Sequence, residues 1–114
     1  MRYNLARDQW RAIEGGEVMG PDGRRYVRST TRMKRKKAEA LAASGCPLLV
    51  YWPGGLPEKT RLEWFDGMDA RSAWNAHRSS VTSDPSRTTG GTVLTAGLWE
   101  SAEEGPLLVL TWHH

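Results

Sequence analysis

The longest apolar run in the chain, Cys46-Pro47-Leu48-Leu49-Val50-Tyr51-Trp52, constrains the fold more than any other stretch. Gly45 precedes it and Pro53-Gly54-Gly55 breaks it. It is far too short to span a bilayer. Residues 47–52 therefore read as a strand that is apolar on both faces, the pattern of a buried central strand. The rest of the 114 residues can build one modest core around it, so residues 1–114 form a single domain.

The flanking segments supply the other elements. Asn4 caps a helix over residues 5–14, stopped by Gly15-Gly16, with Ala6, Trp10 and Ile13 on one face at i, i+4, i+7. Gly20-Pro21-Asp22-Gly23 is a turn signal. Its flanks make a hairpin in which Tyr26 and Arg28 face one side, Arg25 and Val27 the other. Ser29, Thr30 or Thr31 caps a second helix that ends near Ser44 and carries a narrow stripe of Ala38, Leu41 and Ala42. Residues 61–65 form a strand with Leu62 and Trp64 on one face. Asp66 or Asp69 then caps a third helix with the stripe Ala70, Ala73, Trp74, His77 and Val81. Residues 82–91 are a polar, mobile loop. Residues 92–99 and 107–112 are two further strands around a turn at 101–106. The expectation is a compact α+β domain: an antiparallel or mixed sheet of about four to six strands, with three helices packed mainly on one face.

Charge is distributed unevenly. Residues 24–37 hold eight basic side chains and no acid: Arg24, Arg25, Arg28, Arg32, Lys34, Arg35, Lys36 and Lys37. The remaining chain carries 8 basic and 13 acidic residues, so a +8 segment sits on a −5 body within a net charge of +3. Clustered Lys and Arg neutralise phosphates and release counterions. Positive charge at the start of a helix opposes the macrodipole, which favours a bound anion there. Tyr26 and Trp52 are the aromatic side chains placed to add contacts. Acids elsewhere, such as Glu39, Glu58 and Glu103, could instead pair with the basic run. Trp112, near the C-terminus, is the next candidate for an exposed contact, while the other tryptophans mark core positions and the 12 Arg against 4 Lys mark a high-G+C coding bias.

Other chemistry is weaker. Gly54-Gly55-Leu56-Pro57-Glu58-Lys59-Thr60 ends like a phosphate-binding loop, but Glu58 stands where a glycine is required and a strand follows, so it reads as a hairpin connection. His77 lacks a metal-binding partner on its helix, and Asp69, eight positions away, cannot reach it along one helix. His113 and His114 are terminal and are set aside as native residues or the start of a tag. Cys46 enters an apolar strand, which disfavours a thiolate nucleophile. It is the one cysteine, so no intrachain disulfide forms, and a reducing cytoplasm is the expected compartment. Neither a cofactor nor a metal is expected.

These residues point to a small non-catalytic binding protein whose 24–37 segment contacts an anionic partner, nucleic acid first, an acidic protein next. No membrane partner is expected. The alternative is a protein-interaction module or inhibitor, phage-encoded and acting on a host protein. A third reading is a small enzyme around His77 and the Asp66–Asp69 cap. Self-association is open to the chain through charge or through an exposed strand edge such as 107–112.

Overall fold

A strand that is apolar on both faces needs cover on both, and the chain provides that cover in two ways. The computed structural model describes residues 2–5, 7–84, 93–102 and 105–113. In chain order it contains β1 (Arg2–Asn4), α1 (Trp10–Glu14), β2 (Glu17–Met19), β3 (Arg25–Met33) and α2 (Arg35–Ala43). β4 (Leu48–Trp52), β5 (Arg61–Phe65), α3 (Gly67–His77), β6 (Val93–Ser101) and β7 (Pro106–His113) follow, with 3₁₀ turns at Arg7–Gln9, Pro57–Lys59 and Arg78–Ser80. The strands form one sheet in the order β1-β5-β4-β7-β6-β3-β2. β4 and β7 are parallel and the other neighbours antiparallel.

This corrects the expected architecture. The sheet has seven strands rather than four to six. Only α2 and α3 pack on one face, while α1 sends Ile13 into the other. Two local competitions explain the difference. Residues 2–4 pair with Glu63–Phe65 instead of capping a helix, so α1 begins only at Trp10 and has five residues. Ser29, Thr30 and Thr31 stay in β3, where β-branched side chains fit a pleated surface, and α2 starts after Lys34. β3 follows β6 through two irregularities, at Arg28/Thr30 and Thr30/Met33. Gly97 permits this close approach, because a Cβ there would lie 2.8 Å from the Thr30 carbonyl oxygen. The connection after β4 leads antiparallel into β5, as a hairpin connection should. Of the expected loop at 82–91, residues 85–91 lie outside the described residues, as do 103–104 of the turn before β7.

The side chains alternate between two cores. In β4, Leu48 and Val50 face α2 and α3, while Leu49 and Tyr51 face the other way. In β7, Leu108 and Leu110 join the helix side, and Leu107 and Val109 the opposite side. That opposite side is concave. Tyr26 on β3 and Trp64 on β5 are four strand intervals apart, about 19 Å in a flat sheet. Their ring centroids are 5.7 Å apart, so the sheet curls into a half-barrel around them. The segment between β1 and β2 crosses the open side. Leu5 N–H donates to the Leu62 carbonyl, and the Gln9 amide pairs with both backbone groups of Met19, at 3.0 and 2.6 Å. β7 lies inside the sheet, so it offers no edge for self-association. The edges are β1 and β2.

Candidate functional site

The basic segment divides between β3, the start of α2 and the turn before β3. Several of its side chains are held by their own chain. Arg25 meets Glu17 at 2.6 Å, and its hydrogen bond holds the Glu17 carboxyl below the usual range. The guanidinium of Arg35 donates to the carbonyls of Val81, at 3.0 and 3.2 Å, and Ser79, at 3.2 Å. Arg28 lies over the Trp99 ring, 5.9 Å from its centroid. Arg24 is exposed beside Asp22, whose carboxylate accepts from the Arg24 backbone N–H. Arg32, Lys34, Lys36 and Lys37 are exposed and make no ion pair among the described residues. Glu39, one possible partner, is taken by Arg78 at 2.6 Å. Glu58 stays exposed in the 3₁₀ turn before β5, and Glu103 lies outside the described residues.

The two aromatic contacts are placed differently from expectation. Tyr26 is 1% exposed, and its hydroxyl donates to Asp22 at 3.0 Å, so it cannot stack on an external base. Burial, reinforced by that bond, pushes its phenol up to about 12. Trp52 is half-buried against the helix-side core, with Arg61 4.7 Å from its ring centroid.

At the end where β4 and β7 finish and β6 begins, the concave face is not filled. A cavity of about 310 Å³ opens there. Tyr51, Thr95, Thr111 and His113 line it from the strands, Arg28 and Arg32 from β3, and Glu14 from α1. Thr95 Oγ1 and His113 Nε2 are 2.8 Å apart. Tyr51 is buried, which raises its phenol pKa, and the charge of Glu14 raises it further.

No protein-family model, curated protein or solved structure matches the chain.

A second cavity, about 400 Å³, lies on the helix side between α3 and β5, where Glu63, Asp69 and His77 come together. Glu63 is buried rather than solvated and meets Arg61 at 3.1 Å. Burial lowers the His77 pKa, and Glu63 opposes that. The His77 ring makes no hydrogen bond among the described residues, so no hydrogen bond orients it as a base. Cys46 is buried and its thiol pKa is raised by burial, with Sγ 3.3 Å from the Leu41 carbonyl. Among the described residues no group of three His, Cys, Asp or Glu could hold a metal ion, and no helix is long and apolar enough to cross a membrane.

Of the residues lining the concave cavity, Arg28 and Arg32 belong to the basic run singled out in the sequence, whereas Tyr51, Thr95, Thr111 and His113 were missed, His113 because of its terminal position. The available signal was the alternation Thr95-Gly97-Trp99 and Val109-Thr111-His113, which places polar groups on one side of otherwise apolar strands.

Proposed function

We propose that this protein binds an anionic macromolecule, nucleic acid first, through the exposed basic surface that joins the end of β3 to the first turn of α2. The observation that supports this most is that Arg32, Lys34, Lys36 and Lys37 are exposed and free of ion pairs among the described residues. Unpaired cations gain more from phosphate than cations already neutralised by neighbouring carboxylates. Neither the Lys34 cap nor the first turn of α2 carries an acid, so the free N–H groups add to the positive field there.

The test is fluorescence anisotropy with labelled single- and double-stranded oligonucleotides over a salt series. Binding is expected to fall steeply with salt. K36A/K37A is expected to lower the slope of log K against log salt by about two. No binding even at low salt would sink the reading.

An acidic protein is the second reading. It is favoured by Met19 and Val27, 46% and 50% exposed on the outer side of the β2–β3 hairpin, flanking the Arg25–Glu17 pair. M19S/V27S separates the two, since it would weaken a protein contact there and leave oligonucleotide binding unchanged.

A further inference from the structure

We propose that the concave cavity is a binding site for one small organic monoanion: an oxyanion head held by Arg28 and Arg32, and a compact aromatic body carrying a hydroxyl. The site adjoins the polyanion surface and shares Arg32 with it, but Lys34, Lys36 and Lys37 do not line it.

Four observations converge. The cavity, about 310 Å³, lies at the small end of the range for ligand pockets, which limits the occupant to roughly a single ring with a head group. Its charges are unbalanced, with Arg28 and Arg32 on one strand and Glu14 as the carboxylate. Arginine presents a planar fork that matches carboxylate or phosphate oxygens. Glu14 disfavours a second negative charge and accepts a hydrogen bond, which suits a hydroxyl on the far side of the ring.

The fourth observation is Tyr51. It is 8% exposed and lines the cavity, and its hydroxyl makes no hydrogen bond to any described residue. Two polar side chains on the same face have partners within the chain: Tyr26 donates to Asp22, and Thr95 pairs with His113. A hydroxyl at the wall of an open cavity can donate and accept, so a ligand there would supply it with a partner. Ile13, Val109 and Trp99 give the apolar lining against which a ring would lie.

The test is an NMR titration of the full chain, followed through backbone amides, at constant ionic strength. The probes are 4-hydroxybenzoate, phenyl phosphate and inorganic phosphate. Saturable shifts are expected at Thr95, Gly97 and Thr111 with 4-hydroxybenzoate. R28A is expected to weaken that binding about ten- to hundredfold, because it removes a charge-assisted hydrogen bond. Y51F should weaken it by a smaller factor, and K36A/K37A should leave it unchanged.

Tighter saturation by phenyl phosphate at the same amides would overturn the hydroxyl-bearing monoanion, since phenyl phosphate lacks the hydroxyl and is largely a dianion at neutral pH. Inorganic phosphate saturating those amides as tightly as the aromatic probes would overturn the ring. The absence of saturable shifts with any probe at low-millimolar concentration would overturn the site. If R28A loses its native spectrum, R32A carries the same comparison, since Arg32 is exposed and its truncation leaves no void. Anisotropy on the same variants follows Lys36 and Lys37, so the polyanion reading and this one can fail separately.

Discussion

Both faces of the sheet are apolar, yet they are closed by different means. On one face, α2 and α3 lay Ala38, Ala70, Ala73 and Trp74 against Leu48, Val50, Leu108 and Leu110. On the other, the five-residue α1 contributes only Ile13, and the sheet covers itself by bringing Tyr26 onto Trp64. A helix brings a row of side chains to a face, whereas curling seals a face only where large rings meet. Where β6 and β7 turn Thr95, Gly97 and Thr111 inward, no ring fills the space and a cavity remains. Over the central strands β4 and β7 the difference between the faces is thus also the difference between a closed core and a candidate binding site, the helix-side cavity lying out at β5.

Breaking the ring contact should have the largest effect. Trp64 is 1% exposed and meets Tyr26 across the concave face. W64A is expected to cost about 3–5 kcal/mol in urea denaturation, the usual range for truncating a buried aromatic side chain. If W64A proves milder than a leucine truncation on the helix side, the curl is held by the strand ladders and not by these rings.

The leucine truncation sharpens the same comparison within one strand. Leu110 and Val109 are adjacent in β7, both at most 1% exposed, and they face opposite cores. L110A is expected to cost about 2–5 kcal/mol because it opens a void in a closed core. V109A removes two carbons at the wall of an existing cavity, so its cost stays near the transfer value, about 1.6 kcal/mol. Equal costs per carbon at the two sites would mean that the concave face is packed as tightly as the helix side.

How much of this was legible in the sequence follows the same division. The central strand, the β2–β3 hairpin, β5 and α3 all announce themselves through period-two or period-3.6 patterns and turn residues, and all are present. α2 was displaced because hydroxyl-bearing residues cap helices and also suit strands. Pairing with β6 (Thr30 opposite Leu98, Met33 opposite Ala96) decided for the strand. The curl was not legible, since it depends on two rings 38 positions apart meeting over strands that carry no mark of curvature. The basic run was legible as charge. Its partition into Arg25 paired with Glu17, Arg35 bound to carbonyls, Arg28 over Trp99 and the exposed Arg32, Lys34, Lys36 and Lys37 needed the fold. So did the cavity, whose polar lining comes from four strands and α1.

The smallest effect tests the polar end of the ring contact. Tyr26 donates to Asp22, and burial raises its phenol to about 12. An unfolded tyrosine titrates near 10. Below pH 10 both states keep the proton, and the contribution of Tyr26 to stability is complete. Between about pH 10 and 12 the unfolded chain releases a proton that the folded chain retains, so this contribution is lost progressively as pH rises. Y26F removes the hydroxyl but keeps the ring over Trp64. It is expected to cost about 0.5–1.5 kcal/mol near neutral pH, since Asp22 is exposed and regains water. The gap between wild type and Y26F, measured by urea denaturation at about pH 8 and about pH 11, should narrow at the higher pH because the variant lacks this titration. Tyr51, also raised by burial, keeps part of the alkaline slope in both proteins. A gap that stays constant across this range would show that the Tyr26 hydroxyl is not held in a buried bond, and the seal on the concave face would then rest on ring contact alone.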